Sequence, residues 1–198
     1  MTFKVPGAGP SVTHWLERVG GGPSSASGLE FIFDEQLEQG IIGPVFAGHA
    51  VPFTSTGQSE RVVVKMALAL YEEETKMLSH EAEVYRYLQL QRHEATLPRV
   101  YGLCSNRVFT ALVLEHRGRQ VVDVGRELTL GQRMALYHDL QTLHTCGVMH
   151  GDLRADNIVV SEDTGKASLI DLSHARMHHR CPEECDELRA GRELLLLD

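Results

Sequence analysis

The chain has 198 residues, of which 42% are hydrophobic and 23% are charged, and its formal net charge is -8 at pH 7. This length is enough for one domain or two small lobes with a buried core, while the acidic balance argues against generic nucleic-acid binding, which needs a basic surface. No apolar run is long enough to span a membrane and the first residues lack a signal-peptide pattern, so we expect a globular protein without a membrane segment.

Residues 1–28 are predicted to form an N-terminal helix and a flexible segment ahead of the main body. The run from Val12 to Val19 fits a short helix with Trp15 on its apolar face. Residues 20–25 read Gly-Gly-Gly-Pro-Ser-Ser, which is the composition of a linker. A helix docked on the body or on a partner is favoured over a disordered tail, because Trp15 is the only tryptophan.

Three strands are predicted between residues 29 and 67, with a turn at residues 40–44. The third strand is the most informative, because Lys65 is embedded in the β-branched run of residues 61–67. A solvated lysine on an edge strand is the alternative. The choice depends on whether a carboxylate follows on the next element.

A helix is predicted from Glu73 to His93, and Glu81 borders its apolar face. A carboxylate that faces a core needs a cation nearby, so we expect Glu81 to pair with Lys65. Glu83 is the alternative partner by its proximity in sequence, but it points away from the apolar face. The apolar face itself consists of Leu78, Ala82, Tyr85 and Leu88.

An antiparallel strand pair is predicted at residues 100–104 and 108–114, turned at Ser105-Asn106. A capping-box pattern, Thr129 with Gln132 three residues later, then opens a helix that Gly147 closes. We expect His138 and His144 on the surface of this helix. Its buried side is predicted to carry Met134, Leu136, Leu140 and Leu143.

The stretch that begins at His150 contains an acid, an amide and a second acid within a short length of chain. Asp152 is followed five residues later by Asn157, and two apolar runs separated by a turn lead to Asp171. A hairpin of these two runs would bring Asn157 and Asp171 to the same end. Two oxygen ligands there could hold Mg²⁺ against substrate phosphates, while Asp152 on the preceding loop could orient a nucleophile.

The loop sequence HGDLRADN, followed by Asp171-Leu172-Ser173, resembles the catalytic loop and the metal-binding aspartate of the protein-kinase-like superfamily. Glycine before the acid resembles the atypical members: aminoglycoside and choline kinases, RIO-type kinases and the small kinase of the KEOPS complex. The resemblance implies an α+β, two-lobed fold, with an antiparallel-sheet N-lobe over residues 29–116. A minimal, truncated helical C-lobe would occupy residues 117–198, because no A-P-E segment follows.

The resemblance also implies roles for individual residues. Asp152 would orient the acceptor hydroxyl and accept its proton, and Arg154 would steady the γ-phosphate. Lys65, held by Glu81, would contact the α- and β-phosphates, and Asn157 and Asp171 would hold Mg²⁺. The nucleotide site would further include Leu114 as gatekeeper, the Glu115 carbonyl and the Arg117 amide at the adenine, and Gly40, Gly43, Val45, Val63 and Val159.

An ATP-dependent phosphotransferase that uses ATP and Mg²⁺ is the function this resemblance implies. A protein hydroxyl, including one on the chain itself, is the expected acceptor, because the chain lacks the extra helices with which small-molecule kinases enclose their substrates. Two alternatives remain open. A pseudokinase that acts as a scaffold is favoured by the sparse glycines and by Ser173 in place of glycine, and a small-molecule kinase shares the same loop.

Two features near the C-terminus remain outside this scheme. Residues 174–185 carry cysteine and histidine donors that could bind zinc, but Cys-x3-Cys is not a tight finger spacing, and a helix starting at Pro182 accounts for the pattern without metal. A leucine cluster, Leu188 and residues 194–197, exceeds what one helix face can bury. It predicts an interface with a second copy, as a homodimer, or with a partner protein; a frayed chain end with exposed leucines is the alternative.

The four cysteines, at positions 104, 146, 181 and 185, accompany a kinase-like site and therefore indicate reduced thiols. We expect no disulfides and a cytoplasmic location, with the nucleus as the alternative.

Overall fold

The computed structural model describes residues 2–4, 17–18, 29–39, 42–52, 59–91, 97–183 and 185–197. The chain divides into two units: the first comprises Met1–Ala82 and Arg99–His116, and the second comprises Glu83–Pro98 and Arg117–Asp198. The division into segments 1–28, 29–116 and 117–198 that the sequence suggested stays a prediction. Among the helices in the described ranges, none is long and apolar enough to cross a membrane.

A seven-stranded sheet forms most of the first unit, in the spatial order β1-β3-β4-β5-β7-β6-β2. Only β1 and β3 pair in parallel; the other neighbours are antiparallel. The strands are β1 (Thr2–Lys4), β2 (Glu17–Arg18), β3 (Leu29–Gln39), β4 (Pro44–Pro52), β5 (Glu60–Leu68), β6 (Val100–Ser105) and β7 (Phe109–Glu115).

The three strands predicted between residues 29 and 67 are present as β3, β4 and β5, and the predicted antiparallel pair is present as β6 and β7. Gly48 stays within β4 for a steric reason: a Cβ atom at this position would lie 2.1 Å from the carbonyl O of Ile32 on β3. Glycine here therefore permits the close backbone approach of the two strands. The turn between β6 and β7 is held by Asn106, whose Oδ1 accepts the N–H groups of Val108 and Phe109.

The prediction of a helix from Val12 to Val19 is wrong at its C-terminal end, because Glu17 and Arg18 form β2. This short strand pairs antiparallel with β6, with Arg18 opposite Cys104. Pairing with an available sheet edge overrides the local helical pattern. Trp15 and the linker at residues 20–25 lie outside the described residues.

Helix α1 (Glu72–Leu90) begins one residue before the predicted helix and ends three residues earlier. Leu78, Tyr85 and Leu88 are buried as expected, and Glu83 is exposed. One core of the first unit lies on the sheet and is made by Phe31, Phe33, Ala50, Val62, Val64, Cys104, Phe109, Ala111 and Val113.

The second unit combines helices with a small antiparallel sheet in the order β10-β9-β8. The helices are α2 (Val124–Glu127), α3 (Leu130–Thr145), α4 (Asp186–Leu194) and a 3-10 turn at Ala155–Asn157, and the strands are β8 (Arg119–Gln120), β9 (Ile158–Val160) and β10 (Ala167–Leu169). Helix α3 packs against both β10 and α4. The predicted capping box of Thr129 and Gln132 is present at its start.

Helix α3 buries Leu136, Leu140 and Leu143 as predicted, but Met134 is 58% exposed. A residue two positions before Leu136 lies about 200° around the helix from it, so the two cannot share a face. Gly147, with φ +74°, closes the helix, and the next N–H, of Val148, donates to the Leu143 carbonyl.

A helix start at Pro182 is wrong, because α4 begins at Asp186 with Cys185 in the N-cap position. The leucine cluster is also better covered than its sequence suggests. Leu195 is buried and Leu196 is 55% exposed, while Leu188, Leu194 and Leu197 are half-buried. Most of this cluster therefore packs within the chain itself.

Candidate active site

Lys65 and Glu81 form the ion pair that the sequence predicted. The Lys65 Nζ lies 2.9 Å and 3.0 Å from the two carboxylate oxygens of Glu81, and the side chains are 11% and 0% exposed. Strand β5 carries the lysine and α1 carries the glutamate. Because an isolated charge at this depth is unfavourable, the pair fixes the lysine to one position on the sheet.

Strand register places several predicted nucleotide contacts on the same face of the sheet as Lys65. Val45 is the cross-strand neighbour of Lys65, and Val63 is the cross-strand neighbour of Leu114. Directly opposite residues, and residues two apart on a strand, share a face, so Val45, Val63, Lys65 and Leu114 line one surface. Val62 and Val64 point to the other face, into the sheet core.

The glycine-poor turn between β3 and β4 contributes one described glycine, Gly43, while Gly40 lies outside the described residues. Gly43 has φ +141°, and a Cβ atom there would lie 2.3 Å from the carbonyl O of Met66. This glycine is therefore required by the close approach to β5 of the segment that leads into β4. That requirement holds whether or not a phosphate approaches the turn.

Strand β7 ends at Glu115, where the polar segment predicted as the hinge begins. Glu115 belongs to the first unit and Arg117 to the second. Glu115 is fixed by backbone and side-chain bonds to Arg99, since its N–H donates to the Arg99 carbonyl at 2.8 Å and its Oε2 accepts the Arg99 N–H at 3.0 Å. The Arg117 guanidinium donates to the Leu97 carbonyl at 2.5 Å. Arg99 thus holds the Glu115 backbone, and the Leu97 carbonyl holds the Arg117 side chain.

Asp152 is held between two partners on its own loop. The Asn157 amide Nδ2 donates to the Asp152 carbonyl O at 2.8 Å and to its carboxylate Oδ2 at 3.0 Å. Arg154 Nε lies 3.2 Å from the same Oδ2. These contacts fix the carboxylate as an oriented hydrogen-bond acceptor. They also commit the amide nitrogen of Asn157, so its Oδ1 is the atom that would bind a cation.

The hairpin predicted between Asn157 and Asp171 is confirmed. Strands β9 and β10 pair antiparallel with Leu169 opposite Ile158, and the N–H of Ile170 donates to the Asn157 carbonyl at 3.0 Å. Asn157 and Asp171 therefore lie at the same end of the hairpin. Val159, another predicted nucleotide contact, is buried in the middle of β9.

Asp171 adopts a left-handed backbone conformation with φ +65°, which is unusual for a residue other than glycine. Its Oδ1 accepts the N–H of Ser173 at 3.2 Å, a local bond that supports the conformation. Ser173 is not among the described non-glycine residues with positive φ. Backbone strain is thus located on the acid itself, as is frequent at functional sites.

His150 supports the loop from the interior. Its Nε2 bonds the Ile170 carbonyl at 3.0 Å, which assigns the proton to Nε2, and its Nδ1 accepts the Asp152 N–H at 3.4 Å. Burial lowers the pKa of His150, and the neutral ring is the form that can make both bonds. The loop before the acid and the strand before Asp171 are thereby joined by one side chain.

Glu187 of α4 supports the same loop and has no signal in the sequence. Its carboxylate accepts the N–H groups of His150 and Gly151 at 2.9 Å and 2.7 Å, and His144 Nε2 at 2.6 Å. Burial acts to raise the pKa of Glu187, but these hydrogen bonds outweigh it and hold the pKa below its ordinary value. His144 is buried, so its predicted place on the surface is wrong.

Residues 31–187 match the family model of protein tyrosine and serine/threonine kinases, which covers more than three quarters of the chain. The chain belongs to this family. Membership confirms the α+β, protein-kinase-like fold with its sheet of mainly antiparallel strands. It also supports a kinase-like phosphotransferase function with ATP as the nucleotide.

The kinase groups fit the nucleotide and the metal on the chemistry of their atoms. Lys65 is a nearly buried ammonium held by a carboxylate, which suits phosphate oxygens. Asn157 Oδ1 and the Asp171 carboxylate are hard oxygen donors at one hairpin end, which suits Mg²⁺. The residues of each unit are therefore compatible with the cofactors of the family.

Proposed function

We propose that this kinase-family chain is an active, ATP-dependent phosphotransferase of the atypical type, with glycine before the loop acid and a protein hydroxyl as acceptor. The observation that carries the proposal is the arrangement around Asp152, which is oriented by Asn157 and Arg154. A scaffold that binds partners alone has no requirement for a carboxylate held in this way beside two metal-type ligands.

Asp152 orients the acceptor hydroxyl and accepts its proton, which is the role of a positioned general base. Asn157 and Asp171 would hold Mg²⁺, which would supply positive charge to the phosphates. Lys65, fixed by Glu81, contacts the α- and β-phosphates. Arg154 steadies the γ-phosphate; its guanidinium has five N–H donors, so a bond from Nε to Asp152 is compatible with that role.

The remaining nucleotide contacts belong to the same proposal. Val45, Val63 and Leu114 share the sheet face of Lys65, which supports an apolar surface for the adenine. The Glu115 carbonyl and the Arg117 N–H are proposed to bind its edge. Gly40, Gly43 and Val159 complete the set.

The test is transfer of the γ-phosphate from Mg-ATP, measured on the purified chain alone for autophosphorylation and with a generic protein acceptor. Asp152→Asn keeps the shape of the side chain and is expected to lower the transfer rate by about 10²–10⁴-fold. The matched control is Asp156→Asn, at an exposed acid on the same loop, which should retain the rate. Binding of Mg-ATP without transfer in the wild type would instead identify a pseudokinase.

A further inference from the structure

Four side chains that have no assigned role in phosphotransfer converge in the second unit. They are His144 at the end of α3, His179 and Cys181 on the loop segment that precedes α4, and Cys185 at the N-cap of α4. One ligand atom of each lies within 4.8 Å of all the others. The four cysteines of the chain are free thiols, so no disulfide joins Cys181 to Cys185.

Three of the separations within this cluster are close to the edges of a tetrahedral zinc site. His144 Nδ1 lies 3.3 Å from Cys181 Sγ and 3.6 Å from Cys185 Sγ, and His179 Nε2 lies 3.9 Å from Cys185 Sγ. Zinc bonds of about 2.3 Å to sulfur and 2.0–2.1 Å to nitrogen place neighbouring ligand atoms roughly 3.3–3.8 Å apart. The two imidazole rings are nearly perpendicular, at 86°, with centroids 5.1 Å apart.

The surroundings of His144 prepare its Nδ1 to be a ligand. Its Nε2 is bonded to the buried carboxylate of Glu187 at 2.6 Å, so Nε2 carries the proton and Nδ1 presents a lone pair toward the two sulfurs. A carboxylate behind a histidine is the usual outer partner of a zinc ligand. Cys185 occupies an N-cap position without making a side-chain capping bond, which leaves its sulfur to the cluster.

We propose that His144, His179, Cys181 and Cys185 bind one zinc ion in a closed, structural site. Two thiolates and two neutral imidazoles balance the charge of Zn²⁺, and nitrogen and sulfur ligands in a tetrahedron favour zinc over Mg²⁺ or Ca²⁺. Four protein ligands leave no position for a substrate. The ion would connect the end of α3 to the segment that leads into α4, which lies far along the chain, since Cys181 follows His144 by 37 residues.

The zinc site has a direct connection to the loop that carries Asp152. Glu187 bonds His144 with Oε2 and accepts the N–H groups of His150 and Gly151 with the same carboxylate. A metal that fixes His144 and the start of α4 therefore also fixes Glu187 under the loop. Removing the metal is therefore expected to loosen the loop backbone in a chain whose phosphotransfer residues are all unchanged.

The test begins with the zinc content of the full chain, purified under reducing conditions without chelators and measured by mass spectrometry of the metals. One zinc per chain is expected for the wild type. Cys181→Ser changes an exposed residue, so it should fold and yet retain at least tenfold less zinc. The matched control, Cys146→Ser, alters a cysteine of the same unit outside the cluster and should retain the full content.

Cobalt substitution provides the geometric readout. Co²⁺ added to the metal-free chain should give the absorption bands of a tetrahedral site with thiolate ligands, and Cys181→Ser should weaken the sulfur-to-metal band. Amide hydrogen exchange then reports the connection to the loop: chelation should speed exchange at His150 and Gly151 by at least tenfold in the wild type.

Four results would overturn the proposal. The first is a wild type that holds no zinc after reconstitution, and the second is a Cys181→Ser variant that binds zinc as the wild type does. The third is stoichiometric binding of another metal in preference to zinc. The fourth is a Cys181–Cys185 disulfide, found by peptide mass spectrometry of protein purified under reducing conditions. Unchanged exchange at His150 and Gly151 on chelation would overturn the connection to the loop.

Discussion

Gly151 has a left-handed backbone with φ +81°, and a Cβ atom built on it would lie 2.1 Å from the carbonyl O of His174. No real Cβ contact is that short, so any side chain at this position must displace the segment after Asp171. The glycine that precedes Asp152 is therefore a steric requirement of this chain. The arginine that most protein kinases carry before the acid of this loop would not fit at position 151.

We expect Gly151→Ala to lower the free energy of unfolding by about 2–4 kcal/mol, because the left-handed conformation and the clash both add cost. Gly165→Ala is the matched control: Gly165 has φ +66° and open space around it, so the change should cost about 1 kcal/mol from the backbone alone. Urea unfolding of the two variants measures the difference. Equal losses would show that the contact with His174 is easily relaxed.

Asp139 gives a second prediction for a single residue. Burial raises the pKa of Asp139 from 3.8 to about 6, against smaller opposing effects of Lys166 and His138. The folded chain thus holds this proton more tightly than the unfolded chain does. Its contribution to stability is present below about pH 4 and is lost as the pH rises to about 6.

Asp139→Asn removes this ionisation, so we expect it to raise the free energy of unfolding at pH 7.5 by about 1–3 kcal/mol and to leave stability at pH 4 nearly unchanged. Thermal unfolding across pH 4–8 is the measurement. Asp163→Asn, at an exposed turn residue, is the control and should not alter the profile. A variant less stable than the wild type at pH 7.5 would mean that Asp139 has a stabilising partner.

Strand β5 and the part of α1 that belongs to the first unit are joined by the Lys65–Glu81 pair. Glu81 is fully buried, so its charge depends on the ammonium beside it. Loss of one partner of a buried pair is far more damaging than loss of both, because the remaining charge is then uncompensated.

We expect Lys65→Met to destabilise the chain by about 3–5 kcal/mol and to weaken Mg-ATP binding. The double variant Lys65→Met/Glu81→Leu should recover most of the stability but not the binding. Calorimetry with Mg-ATP and chemical unfolding, run on both variants, separate the two effects. Wild-type nucleotide affinity in Lys65→Met would show that the pair has no part in binding.

At the scale of the whole molecule, the predicted interface with a second copy would involve the C-terminal leucines. Leu196 is the exposed member of the cluster and adopts φ +51° at the end of α4. Its neighbours form the last turn, where the Leu197 N–H donates to the Arg192 carbonyl and the Leu196 N–H to the Glu193 carbonyl. Truncation after Arg192 would remove buried Leu195 as well, so it would confuse stability with assembly.

A substitution at Leu196 tests the predicted dimer without that loss. If the dimer forms, Leu196→Lys should shift the mass from dimer to monomer in light scattering, because a charge would replace exposed apolar surface. Leu130→Lys is the control, since Leu130 is similarly exposed on α3. A monomeric wild type at the same concentration would contradict the interface.

The parts of the molecule that the sequence predicted are those specified by neighbouring residues. The hairpin from Asn157 to Asp171, the capping box at Thr129 and the strands around Lys65 each depend on local patterns of turns and alternation. The Lys65–Glu81 contact could be predicted because two local patterns each pointed to it. One is the apolar helix face that Glu81 borders, and the other is the β-branched strand that contains Lys65.

The parts that the sequence did not reveal depend on contacts between distant segments. His144 lies 43 residues before Glu187 and 37 before Cys181, and a histidine on a helix has no local sign of burial. The helix expected at Pro182 fails because Cys185 takes the cap position. Residues 17–18 pair with β6 although their surroundings favour a helix.

The bond between Glu187 and the loop has a consequence for biosynthesis. Glu187 lies 36 residues after Gly151, and domains fold during synthesis at about 5–20 residues per second. The segment with Asp152 therefore leaves the ribosome about 2–7 s before the carboxylate that holds its backbone. Translation products that stop after Asp171 and before Glu187 carry Lys65, Glu81, Asp152, Asn157 and Asp171 but lack the support of the loop. We expect chaperones to recognise these products, which would not act as partial kinases.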